Sequence, residues 1–179
     1  LVGEIRDPET AQIALQSALT GHLVFTTIHA NSSFEVINRF IHMGIEPYNL
    51  MSALNCVVAQ RLIRVLCDCK EETSHAEKTL VESGLVPQEL HDQIFYKAKG
   101  CEICKGTGFG GRKAIIELIE LDDDMRTLFI DRAPITALKK KALDAGSVFL
   151  RMAAIQEVMN GITTLEEANR VTFIDPKGA

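Results

Sequence analysis

Leu1-Val-Gly-Glu-Ile5, Asp7-Pro-Glu9 and His22-Leu-Val-Phe-Thr-Thr-Ile-His29 stand at the head of the chain, and their order decides the fold. Leu1 to Ile5 reads as the tail of a buried strand. Asp7 is placed to cap a helix, Pro8 suits its first turn, and Glu9 favours the positive end of the helix dipole. Ile13, Ala14, Leu15, Ala18 and Leu19 give that helix one packing face, and Gly21 ends it. The run from His22 to His29 is β-branched and aromatic and has strand length. Strand, helix and strand with short links form one right-handed βαβ unit of a parallel sheet, which predicts an α/β fold.

Outward from this unit, a helix is expected over residues 33 to 42, ended by Gly44. A longer one is expected over residues 47 to 66, carrying Leu50, Leu54, Val57, Val58, Leu62, Ile63 and Val65, with Cys56 buried on its apolar face. The chain turns helical after two strands, so most of the sheet is expected upstream. Residues 67 to 108 form a polar excursion, with short helices expected near 75 to 83 and 87 to 92 and a strand at 94 to 97. Residues 112 to 121 read as a returning strand. Helices follow from Asp122 and from Pro134, with Gly146-Ser147 and Gly161 as later breaks. The last helix opens on a repeated capping box, Thr163…Glu166 and Thr164…Glu167. Residues 176 to 179 read as a frayed end. The expected division is therefore 1–66, 67–108 and 109–179.

At 179 residues, 46% hydrophobic and 24% charged, the composition is that of one globular domain or a domain with a small appendage. A net charge of −5 argues against a nucleic-acid surface, which needs a basic face. No apolar run approaches the roughly 18 residues that span a bilayer. Leu1 stands where an initiator methionine would, so the start reads as a cut within a longer protein. Without a signal peptide, a reducing cytosolic compartment is expected, where thiols stay free to hold metal.

Four of the five cysteines lie in two close pairs, Cys67 with Cys69 and Cys101 with Cys104, at opposite ends of the polar excursion. Two thiolate pairs of this kind suit a tetrahedral Zn²⁺ site, which cross-links a segment too polar to build its own core. The second pair lies in Gly100-Cys101-Glu102-Ile103-Cys104-Lys105-Gly106, a knuckle-like turn. The first pair has one intervening residue, Asp68, where zinc sites usually have two to four. His75 and His91 are reserve ligands between the pairs, or plain loop histidines.

In an open parallel sheet, ligands collect at the carboxyl ends of the strands. Glu4 sits near the end of the first strand, acidic where an apolar residue is expected, and His29 ends the second beside Thr26, Thr27 and Asn31. An acidic residue there suits Mg²⁺ or an attacking water, and a neighbouring histidine suits a γ-phosphate. Glu4 reads equally as an ion-pair partner of Arg6, and His29 as a loop or capping histidine. His22 lies at the opposite end of its strand and, in a regular strand, on the other face. Gly106-Thr-Gly-Phe-Gly-Gly111 leads into a strand and has no Gly-Lys-Ser/Thr ending, so it reads as a turn rather than a phosphate loop.

Gly3-Glu4-Ile5-Arg6-Asp7-Pro8-Glu9-Thr10, Ala18-Leu19-Thr20-Gly21-His22-Leu23-Val24 and Thr27-Ile28-His29-Ala30-Asn31 resemble the secretion ATPases, the motors of type II secretion and type IV pilus assembly. Ala59-Gln60-Arg61-Leu62-Ile63-Arg64, the four cysteines, Thr107-Gly108-Phe109-Gly110-Gly111-Arg112 and Gly161-Ile162-Thr163-Thr164-Leu165-Glu166-Glu167 continue the resemblance to about Thr172. It implies the C-terminal half of a RecA-like P-loop NTPase core, a zinc-binding insertion and a helical C-terminal part. It further implies an ATP- and Mg²⁺-dependent hexamer at the cytoplasmic face of the bacterial inner membrane, held there by a platform protein and a cytoplasmic adaptor. No insertion into the membrane and no nucleic-acid partner are implied. Glu4 becomes the Walker B glutamate near Mg²⁺ and water, His22 and His29 the histidine box facing the γ-phosphate, and Cys67, Cys69, Cys101 and Cys104 the zinc ligands. The cysteines favour the secretion and pilus-extension branch over retraction motors.

The Walker A loop is absent from these 179 residues, so the chain alone is expected to lack meaningful ATPase activity. The short Cys67-Asp68-Cys69 spacer departs from the family's usual two residues. A second reading is a zinc-stabilised module that docks on a membrane platform, without a catalytic role.

Overall fold

The structure, a computed structural model, describes residues 1–30 and 32–174. In chain order the elements are α1 (Pro8–Leu19), α2 (Ser33–His42), α3 (Pro47–Ala53), β1 (Cys56–Leu66), β2 (Glu71–Thr73), α4 (Glu77–Glu82), a 3₁₀ turn at Pro87–Glu89, β3 (Phe95–Lys97) and β4 (Phe109–Glu120). Four helices follow: α5 (Asp123–Ile130), α6 (Ile135–Asp144), α7 (Leu150–Met159) and α8 (Leu165–Val171). β1 pairs with β4, and β2 with β3. The chain divides into two units, Leu1–Ala59 with Glu117–Val148, and Gln60–Ile116 with Phe149–Ala179.

In the first unit, the opening segments run parallel as the βαβ reading requires. Val2 N donates to Phe25 O and Ile5 N to Thr27 O, both at 2.9 Å, but the pairing amounts to one bridge, Val2 with Thr26. A two-stranded pairing this short is marginal by itself. α1 is capped as expected: Asp7 Oδ1 accepts from Thr10 N at 2.8 Å. α1 packs on α3, α3 on α5 and α5 on α6, around buried Ile5, Ala11, Phe34, Ile37, Met51 and Met125.

The helix expected over 47 to 66 is corrected. It stops at Ala53, and Cys56 to Leu66 is a strand of eleven residues. Val57 and Ile63 point inward and Val58 and Leu62 outward, the two-residue period of a strand. Apolar runs of this kind fit either element, and pairing with β4 decides for the strand. Cys56, expected buried, therefore begins a strand and is exposed.

In the second unit, β2 and β3 are antiparallel, with Glu71 opposite Lys97 and Thr73 opposite Phe95. β3 contacts α7, and α7 packs on α8. The expected helix near 87 to 92 is a single 3₁₀ turn, and the frayed end expected at 176–179 lies outside the described residues. Thr164 caps α8 by accepting from Glu167 N at 3.1 Å. Glu167 does not complete the capping box. Its fully buried carboxylate instead accepts from Arg64 N (3.0 Å), Arg64 Nε (2.9 Å) and Arg170 Nε (2.9 Å).

Burial alone would push the Glu167 carboxyl up, but the Arg170 and Arg64 hydrogen bonds outweigh it and hold the group at about 2. Because the folded value lies below the unfolded one, this stabilisation is present above pH ~4.5 and is lost as the pH falls towards about 2. Glu167→Gln should cost about 2–3 kcal/mol at pH 7, since both arginines are half exposed and partly rehydrate. Urea titrations at pH 7 and pH 3 check this. The variant should show the smaller loss on acidification, and equal losses would remove Glu167 as the source.

Candidate functional site

Two sites arise, one in each unit. In the first, Asp7 capping and Pro8 start α1 immediately after Glu4-Ile5-Arg6, so Ile5 is buried while Glu4 and Arg6 reach the surface side. Glu4 is one fifth exposed, and its Oε2 accepts from Arg6 Nε at 2.6 Å. Its Oε1 lies 2.8 Å from His29 Nε2, and the His29 ring is largely exposed. The Arg6 hydrogen bond holds the Glu4 carboxyl below its ordinary range against the effect of partial burial, helped by the charges of Arg6, His29 and Arg39. The sequence placed Glu4 and His29 at the ends of adjacent strands, and the structure brings them into contact. Glu4 is also Arg6's ion-pair partner, as its other reading expects.

His22 does not join them. Its Nδ1 lies 3.2 Å from Ser17 O and 3.3 Å from Thr20 Oγ1, at the C-terminal end of α1. Asn31 lies outside the described residues. Sequence reasoning missed Arg39, near the C-terminus of α2, which donates to the carbonyl of His29. Nothing in a helical arginine ten positions downstream signals that contact.

In the second unit, Cys67 and Cys69 follow β1 and Cys101 and Cys104 sit in the turn before β4. All four sulfurs lie within 4.8 Å of one another. Cys67 to Cys101 and Cys69 to Cys104 are both 3.9 Å, and Cys101 to Cys104 is 3.7 Å. Tetrahedral thiolates about 2.3 Å from zinc would stand about 3.8 Å apart. The one-residue spacer thus does not prevent a closed four-sulfur set. It completes without His75, whose ring meets the Phe95 ring edge-on at 5.1 Å.

Backbone supports the sulfurs. Cys104 Sγ accepts from Cys101 N at 3.1 Å and Gly108 N at 3.2 Å. Those amides, that of Cys101 foremost, bring the Cys104 thiol down to about 6. Burial, with the neighbouring Cys67 and Cys101 thiols, pushes Cys69 up to about 12. Gly108 has φ +75°, and a Cβ there would meet Ala98 Cβ at 2.5 Å, so the turn that delivers its amide to the sulfur requires glycine. The cluster can hold a metal ion.

The family described as Type II/IV secretion system protein matches residues 1–170. The chain is 45% identical over 168 residues to the type IV pilus assembly ATPase PilB of Thermus thermophilus, covering 93% of this chain and 19% of that protein. It is 43% identical over 175 residues to the type II secretion system ATPase E of Vibrio cholerae, covering 96% of this chain and 34% of that protein. The chain therefore spans between a fifth and about a third of the length of these curated relatives. Among solved structures, the pilus retraction motor PilT with bound ADP is similar with a TM-score of 0.64 at 22% identity, over 98% of this chain and 40% of that one. The ATPase DotB of Legionella pneumophila gives 0.61 at 19% identity, over 95% and 37%. Those likenesses show the expected α/β fold. By the match along almost its whole length, the chain belongs to the type II/IV secretion system protein family.

Proposed function

We propose that this chain is the Walker B and metal-bearing part of a hexameric ATPase that drives type IV pilus assembly or type II secretion. The observation that supports it most is the Glu4 carboxylate, kept ionised by Arg6 and in contact with His29, within a chain so similar to PilB and secretion ATPase E. Mg²⁺ bound with ATP would neutralise charge on the β- and γ-oxygens. Glu4 orients the attacking water and accepts its proton, and His29 donates towards the γ-phosphate. His22, at the head of the same segment, is the second histidine of that box. Cys67, Cys69, Cys101 and Cys104 hold Zn²⁺ as a structural cross-link.

The motor would work in the cytoplasm against the inner membrane, bound to a platform protein and an adaptor. Among the described residues no helix is long and apolar enough to cross a membrane. Residues 1–179 contain no Gly-Lys-Ser/Thr phosphate loop. A phosphate-release assay tests the reading. The full-length protein should turn over ATP with Mg²⁺, and the 179-residue chain alone should not. An inactive full-length hexamer would overturn the motor assignment, and steady turnover by the short chain would overturn the need for a phosphate loop.

A further inference from the structure

His29 is an exposed side chain at the end of a one-bridge pairing, yet its ring stands against Glu4. Its local strand cannot hold it there, because a single bridge leaves the following residues without a ladder. What fixes it lies on α2. Ser32 caps that helix, its Oγ accepting from Glu35 N at 3.3 Å. The helix start is itself held, since Ser33 N donates to the buried Glu117 carboxylate on β4 at 3.3 Å. Phe34, Ile37 and Phe40 bury the inner face of α2, which makes it a firm body. From its last turn Arg39 reaches back along the helix, and its guanidinium donates to the His29 carbonyl. The same guanidinium is close enough for its charge to act on the Glu4 carboxylate.

We propose that Arg39 is a positioning residue for the ATPase site: through the hydrogen bond to the His29 carbonyl it couples α2 to the histidine and sets the contact of His29 with Glu4. The inference rests on the motor reading above. Arg39 need not touch nucleotide to matter. A histidine that donates to a developing charge must be placed before the reaction, and a displacement near 1 Å can cost about a hundredfold in rate.

The test uses the full-length protein. Arg39→Ala should lower kcat about 10- to 100-fold with KM changed less than about threefold, the pattern of lost transition-state stabilisation. Arg39→Lys, which keeps a charged donor, should recover part of the loss. In a His29→Ala background Arg39→Ala should cost less than about twofold more, because a residue that acts only through His29 has nothing left to position. Hydrogen exchange should show faster amide exchange at residues 27–30 in Arg39→Ala, with the α2 core amides unchanged. Wild-type kcat in Arg39→Ala, or an equal loss with His29 already removed, would overturn the proposal. General loss of protection across α2 in both Arg39 variants would assign Arg39 to folding and overturn it too. If the wild-type protein does not hydrolyse ATP, the motor reading falls. The exchange result then decides by itself whether Arg39 positions His29.

Discussion

Stripping the proposed zinc from this chain, or replacing Cys101 with serine, should melt residues 67–108 as a unit. The segment brings its own core residues, Leu80 and Phe95, but few others, and β2 and β3 are three residues each. Four sulfurs at tetrahedral spacing are what tie its two ends together. Without a cation, burial opposes ionisation of Cys69 while the Cys101 and Gly108 amides favour a thiolate at Cys104, so the cluster carries mismatched protonation. The proposed Zn²⁺ would take all four as thiolates, and its binding energy would become folding energy of the segment. The loss should be at least about 3 kcal/mol, well short of the roughly 10 kcal/mol or more of small zinc-dependent domains, because the neighbouring helices persist. Native mass spectrometry should find one zinc per chain, absent after denaturation. Hydrogen exchange after chelation should show residues 67–108 unprotected. Undiminished protection in a zinc-free chain would remove the metal from the account.

Glu4→Gln in the full-length protein should lower ATP hydrolysis about a thousandfold and leave nucleotide affinity within about threefold. The amide keeps the shape and still accepts from Arg6, so the local structure survives. It loses the charge that, in the proposed function, orients water and takes its proton. The Arg6 hydrogen bond holds the wild-type group ionised below the usual carboxylate range, so activity should not fall through protonation of Glu4 near neutral pH. Turnover rates with labelled ATP, beside a fluorescent-nucleotide titration, give both numbers. Wild-type turnover in the variant would take Glu4 out of the chemistry.

How much of this was legible beforehand follows from how local each signal is. Helix α1 could be read from Asp7, Pro8 and Gly21 because capping and termination act within a turn. The cysteine site could be read from Cys101 and Cys104 because metal ligation constrains spacing, and the doubtful spacer at Asp68 closed the set all the same. β1 was misread as helix because Val57, Val58, Leu62 and Ile63 satisfy both periods, and its partner β4 lies more than forty residues away. Thr164 was rightly seen as a cap. Glu167 was assigned to that cap because the local motif offers it a backbone amide, whereas Arg64, about a hundred positions distant, offers both its backbone amide and a charged guanidinium.

The sequence by itself therefore determined the α/β class, the start and end of α1, the grouping of the four cysteines and the family. Each depends on residues near one another in the chain or on an ordered set of motifs. Only the tertiary structure decided that 56–66 is a strand, that Glu167 joins β1 to α8, and that Arg39 reaches the His29 carbonyl beside Glu4. The physical reason is shared by all of these. A side chain's strongest available partner is set by burial and by charges brought close in space, and chain order alone does not encode which distant group arrives.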